Sequence, residues 1–183
     1  MAESILATLH RINRGVALVI GAVLLICAGV VLIDIILRQI GSSFGGTDEI
    51  SGYVMAIATS WGMAFTMLEL GHVRIDLLRT RVKKVAGRVL FDLGSLLILA
   101  GTVSIIAFQC WPVVEGSLRN GSRANTVLET PLWMVQVPWF AGWVWFALMA
   151  WAALVCAIIL AAQGKFGAAE GAIGTFGEQE AAL

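Results

Sequence analysis

The chain has 183 residues, no net formal charge, 59% hydrophobic and only 13% charged residues, and a mean hydropathy of +0.89. A soluble domain usually carries about 25% charged residues, so there is too little polar surface here to coat a water-soluble globule. The composition predicts an all-α integral membrane protein, and zero net charge leaves no electrostatic footprint for nucleic acid.

At the N-terminus, Ile5, Leu6, Leu9 and Ile12 fall on one helical face, and Ser4 stands where it could cap a helix. This predicts an amphipathic helix lying at the membrane interface. The first membrane-length run is Val16 to Leu37, its one charge being Asp34. Crossing a bilayer takes about 20 apolar residues. Arg11 and Arg14 precede this run as they would a signal peptide, but the run is too long for a signal core and no A-x-A site follows. Leu24-Leu25-Ile26-Cys27 only faintly resembles a lipoprotein site, because bulky Ile26 is wrong before the cysteine. An uncleaved first span is expected. Asp34 lies one turn before Arg38, in the favourable acid-first order for an i,i+4 pair.

Thr47-Asp48-Glu49 opens the second span, Ile50 to Leu68. Thr47 or Asp48 can cap that helix, and negative charge suits its N-terminal dipole. Alternatively, Asp48 or Glu49 meets a basic group, either Arg38 or a partner protein. Gly52, Ala56, Ser60 and Ala64 recur every four residues, a pattern that lets helices approach closely in lipid. Whether the neighbour is a span of this chain or another subunit stays open.

Glu69-Leu70-Gly71-His72-Val73-Arg74-Ile75-Asp76-Leu77-Leu78 follows, the densest mixture of acid, base and imidazole in the chain. Beyond it, Leu78, Val82, Val85 and Val89 form an apolar stripe, with Arg79, Arg81, Lys83, Lys84 and Arg88 between them. This suits a basic amphipathic helix on anionic lipid, running into the third span, Val89 to Trp111. That span contains one charge, Asp92, one turn after Arg88. Local pairing or snorkelling can satisfy Asp34 and Asp92; an ion route would need polar groups near mid-membrane.

Ser122 to Thr130 reads as an ordered loop. Pro131 to Ala162 has no charge over 32 residues, too long for one perpendicular helix. Pro131 and Pro138 are expected to divide it into an entry segment and a fourth span, Trp139 to Ala161. Ala153, Ala157 and Ala161 repeat the close-packing device. Residues 163–183, rich in Gly and Ala, are expected to form a flexible cytoplasmic tail after a single four-helix membrane domain over residues 1–162.

With four spans, nine of the twelve Lys and Arg fall on the side of the termini and middle loop. The positive-inside rule then puts both termini in the cytoplasm. Trp111, Trp133, Trp139 and Trp143 cluster at the predicted outer ends, either as interfacial anchors or as a platform for an external partner. The chain offers no catalytic set. Its two histidines, His10 and His72, fall outside the spans, and no carboxylate, Ser/His or Cys/His pair has catalytic spacing. Cys27, Cys110 and Cys156 lack metal-ligand spacing and read as small hydrophobes.

Taken in order, these features resemble the small membrane subunit of tripartite ATP-independent periplasmic (TRAP) transporters, the DctQ-like family. The matching features are a basic N-terminus and a first span ending at Arg38, then Asp48-Glu49 with Tyr53 a turn later and Gly62 inside span two. Gly71-His72-Val73-Arg74-Ile75-Asp76-Leu77-Leu78 follows, then Thr130-Pro131-Leu132-Trp133, Pro138 and Gly142. The resemblance runs from about Arg11 to Leu160. Gly46-Thr47 departs from it, standing where the family pattern leads one to expect an aromatic residue.

The resemblance implies a non-enzymatic scaffold subunit of a heteromeric secondary transporter in a bacterial or archaeal cytoplasmic membrane. A large membrane subunit, expected as a separate chain, would hold sodium and substrate, so no cofactor or metal is expected here. A periplasmic binding protein would deliver an organic acid or related solute. Glu69, His72, Arg74 and Asp76 would pin the inner end of span two to the surface helix and the large subunit. Arg38, Asp48, Glu49, Pro131 and Trp133 would shape the outer face near the docked binding protein. The alternative is a free-standing four-helix membrane protein, a small transporter or a cofactor-bearing anchor. Mid-span polar residues or in-span histidines would favour it.

Overall fold

The structure is a computed structural model that describes residues 2–71, 82 and 84–174. Within them the chain is all-helical: α1 (Ala2–Gln39), α2 (Thr47–Leu68), α3 (Val85–Asn120), α4 (Trp133–Ala162) and α5 (Phe166–Ile173). Three of these, α1, α3 and α4, are long and apolar enough to cross a membrane. At 22 residues α2 is about 33 Å long, enough to span, but Gly, Thr, Ser and Trp dilute its apolar character.

Three boundaries differ from the sequence-based expectations. The N-terminal amphipathic stretch and the first span are one unbroken 38-residue helix, about 57 Å long. Ser4 lies inside it, its carbonyl accepting the Thr8 hydroxyl at 2.9 Å. The third span continues through Pro112 to Asn120, nine residues nearer the loop. The fourth helix begins at Trp133, so Pro138 sits inside it and does not divide the segment. Near a helix N-terminus, proline removes one backbone donor without ending the helix. Of the stripe residues, Leu78 lies outside the described residues, and Val85 onward belongs to α3.

Residues 166–173, expected to belong to a mobile tail, form α5. The helix packs on α3 and α4, with Ala169 and Ile173 buried. Arg88 clamps it through a bidentate pair with Glu170, at 2.7 and 3.3 Å. Lys165 reaches Glu3 of α1 at 2.9 Å.

The principal neighbours give the order α1–α2–α4–α3, with α5 in the α3/α4 cleft. The main core lies between α2, α3 and α4, built from Ala64, Leu96, Ala100, Phe146, Ala150 and Ala153 among others. The abundance of alanine is the lipid signature: helices gain there by close van der Waals approach, since lipid is already as apolar as leucine. The most apolar stretch of α1 contributes nothing to the buried core. The N-terminal part of α1 packs differently, Leu6 joining Val89, Cys156, Leu160 and Ala169 in a second cluster. Asn13, also buried, accepts from Trp145 Nε1 at 3.1 Å.

The small-residue stripe of α2 is only half used. Ser60 and Ala64 are buried against α4, whereas Gly52 and Ala56 are exposed. Helix ends follow from backbone chemistry. Gly41 closes α1 in a left-handed conformation, with Ser42 N–H donating to Leu37 O at 3.0 Å. Leu70 closes α2 in the same motif at φ 56°, although a Cβ makes that conformation cost about 1 kcal/mol. Burial of its side chain to 9% exposure offsets the strain.

Candidate functional site

The end of α1, the start of α2, the end of α3 and the start of α4 meet at one end of the molecule, and the described polar chemistry concentrates there. Asp34 is its hub, 1% exposed. Its Oδ2 accepts Arg38 Nε at 2.9 Å, Arg38 Nη2 at 2.8 Å and the Thr47 hydroxyl at 2.7 Å. Its Oδ1 accepts the Ser43 hydroxyl at 2.9 Å and the Phe44 backbone N–H at 2.8 Å. A carboxylate at the end of an apolar helix is tolerable only with its acceptor sites filled, and here five donors fill them. Arg38 also donates to Asp48 Oδ2 at 3.3 Å. One buried acid therefore ties α1, the 40–46 loop and α2 together.

This changes the expected role of Thr47. Neither Thr47 nor Asp48 caps α2: the N-cap is Gly46 at φ 75°, with no side-chain cap bond. The Thr47 hydroxyl is committed to Asp34. A Cβ on Gly46 would lie 2.6 Å from Leu128 Cγ, so the loop after α3 closes over the start of α2.

Glu49 holds that loop. Its Oε1 accepts the Thr130 hydroxyl at 3.1 Å and the Tyr53 hydroxyl. Glu49 precedes the apolar part of α2, and hydrogen bonds from Thr126, Tyr53 and Thr130 hold its carboxyl below the usual 4.5. The backbone of the loop is fixed by Ala124 N–H to Thr130 O at 2.9 Å, and by Leu132 N–H to Ser122 O at 3.0 Å. Arg123 and Pro131 form an isolated bridge. Val127, at 87% exposure, and Asp48, at 84%, project beside this clamp.

A group whose folded pKa lies below its unfolded value stabilises above the unfolded pKa and loses that contribution as pH falls. The loop at residues 121–132 is therefore expected to loosen as pH drops below about 4.5. Hydrogen exchange across residues 121–132 measures this. Glu49→Gln should exchange quickly at neutral pH and lose the acid dependence; an unchanged pH profile in that variant would remove Glu49 from the role.

The structure brings Arg38 and Asp48 into direct contact and places Glu49 and Pro131 on the same loop clamp. Trp133 begins α4 at the same end, partly exposed. Trp111 packs on Phe140 at 5.6 Å, and Trp139 meets Trp143 edge-on at 6.4 Å. Tyr53 and Thr130 stand in the quoted motifs, but their role at Glu49, like that of Thr126, escaped sequence reasoning, because a hydroxyl gives no signal until its acceptor is known. At the opposite end, Glu69 Oε1 accepts from His10 Nδ1–H at 3.3 Å. His72, Arg74 and Asp76 lie outside the described residues, as do Arg79, Arg81 and Lys83 of the basic stripe. Lys84 is the N-cap residue of α3. Arg88 faces α5 through Glu170 and so does not lie on a lipid-facing stripe. Among the described residues, no three His, Cys, Asp or Glu side chains converge as a metal site requires.

A charged, hydrogen-bonded cap thus stands at one end of long apolar helices. The family model for tripartite ATP-independent periplasmic transporters, DctQ component, matches residues 27–164, about three quarters of the chain. The chain belongs to the DctQ family. No curated protein and no solved structure matches it. The match begins inside α1 and ends just after α4, so it contains the Asp34–Arg38 hub, the Glu49 clamp and the whole α2/α4 contact. This DctQ-family chain is a component of a transport system.

Proposed function

We propose that this DctQ-family chain is the small, non-catalytic scaffold subunit of a TRAP-type secondary transporter. It pairs with a large membrane subunit that binds sodium and solute, and a periplasmic binding protein delivers an organic acid or related solute. In this reading α1 to α4 all cross a bacterial or archaeal cytoplasmic membrane, both termini are cytoplasmic, and the Asp34–Glu49 end faces outward. The observation that carries it is the family match over residues 27–164. The clamped outer loops, with Val127 and Asp48 projecting, suit a fixed docking face for a soluble partner. Glu69, His72, Arg74 and Asp76 anchor the inner end, and the basic segment from Arg79 to Lys84 contacts anionic lipid.

The deciding experiment is purification of the tagged chain from its native membrane in mild detergent. A stoichiometric, much larger membrane protein is expected to accompany it. Its absence, together with transport or a haem absorption band from this chain alone, would overturn the proposal. Arg74→Ala is expected to weaken that association at least several-fold while leaving solute preference unchanged. Normal co-purification and normal uptake in Arg74→Ala would remove Arg74 from the interface.

A further inference from the structure

Along one flank of the α1/α2 seam runs an apolar furrow. Its lower cavity, about 390 Å³, is lined by Gly15 and Val19 of α1 and Trp61 of α2. A second cavity of about 180 Å³ continues upward past Val23, Val30 and Ile50. Gly15, Val19, Val23 and Val30 share one helical face, so the two cavities form a single track. From Gly15 to Val30 it rises about 23 Å, most of the roughly 30 Å hydrocarbon thickness. Nothing lies within 4 Å of where a Cβ on Gly15 would sit, which leaves the lower mouth open. The wall is rigid: Trp61 donates to Pro138 O at 2.9 Å and stacks on Trp145 at 6.0 Å.

We infer that this furrow holds one acyl chain of an anionic phospholipid, in the leaflet on the Arg11 side. Three observations choose that occupant. The track is narrow and long, and a helix, about 10 Å across with its side chains, does not fit its cavities. Its lining carries no polar surface. Its lower mouth opens directly above Arg11, one helical turn before Gly15, with Arg14 beside it. Both arginines are exposed, and neither forms an ion pair with an acid among the described residues. Basic side chains at the membrane surface attract anionic headgroups, and the apolar track receives the chain attached to them. The inference is independent of how the small subunit assembles with its transporter.

The test uses the full chain in mild detergent, with phosphatidylglycerol and phosphatidylcholine of identical acyl composition as probes. Native mass spectrometry is expected to find one retained phospholipid per chain, with at least a ten-fold preference for phosphatidylglycerol. Arg11→Gln with Arg14→Gln, both at exposed positions, should abolish the preference without altering the fold. Val19→Phe should fill the track and lower retention at least five-fold. Acyl chains brominated near mid-length should quench Trp61, an effect lost in Trp61→Phe. The inference fails if the wild-type chain retains no phospholipid, or if neither the arginine pair nor Val19→Phe changes retention. It also fails if a benzophenone amino acid at position 19 crosslinks to protein and not to lipid in native membranes.

Discussion

Asp34→Ala is expected to destabilise the protein by about 2–3 kcal/mol and to release the 40–46 loop. The reason is the set of donors that would lose their acceptor. Thr47 is buried, and its hydroxyl has no water to turn to once Oδ2 is gone. A buried donor left unsatisfied costs about 1–3 kcal/mol, more than the net value of the bond it made. The Phe44 N–H and the Ser43 hydroxyl lose the other oxygen, but both residues are exposed and regain water cheaply. Arg38, 45% exposed, keeps its contact with Asp48 and adds little to the loss. Asp34→Asn keeps the volume and one oxygen but turns an NH₂ towards Arg38 and Thr47, so roughly half the effect is expected. Equilibrium unfolding in detergent, with hydrogen exchange at residues 42–44, reads both quantities. If Asp34→Ala unfolds within about 0.5 kcal/mol of the parent and exchanges normally, Asp34 is not the hub.

Gly142 is the second position where one atom matters. A Cβ there would lie 2.2 Å from Ser60 Oγ, 2.8 Å from Ser60 Cβ and 2.8 Å from Trp61 Cδ1. This is the closest α2/α4 approach that the glycines mark, and it sits beside the buried Ala64 and Phe146. Gly142→Ala is expected to cost about 1–3 kcal/mol by overpacking, because neither helix can yield without disturbing its other contacts. Gly142→Leu should force the helices apart and break the Trp61–Trp145 stack, visible as a shift in tryptophan emission. The decisive comparison is a double-mutant cycle. Ser60→Gly removes the obstructing hydroxymethyl group, so combined with Gly142→Ala it should recover at least about 1 kcal/mol. Strict additivity of the two changes would mean that these helices do not meet there.

Both positions show how far the chain could be read without its structure. Asp34 and Arg38 announce themselves as an i,i+4 pair, and their contact follows from helical spacing alone. Thr47 does not: it lies 13 residues from Asp34, and its hydroxyl looked like a helix cap. The Glu49–Thr130 bond joins residues 81 apart, which no local pattern encodes. Of the small residues at 52, 56, 60 and 64, Ser60 and Ala64 are buried and Gly52 and Ala56 exposed. Their spacing could not show that α4 covers only Ser60 and Ala64. Helix α5 was missed for a related reason. Eight residues rich in Gly and Ala are too few to form a stable helix alone, and this one rests on Ala169, Ile173 and the Arg88–Glu170 clamp.

The sequence by itself determined the class of molecule. Long uncharged runs leave backbone groups that must bond within a helix, so apolar length fixes helices of membrane-crossing size. The order of motifs from the first span to Pro138 and Gly142 carried the family. Only the tertiary structure decided which helices are neighbours, that α1 is unbroken, that Pro138 lies within a helix, and that a tail segment returns to pack. In water, an apolar stripe reveals the buried face of a helix. In lipid both faces are apolar, so that signal vanishes, and steric fit at Gly142 and hydrogen bonds such as those at Asp34 choose the partners.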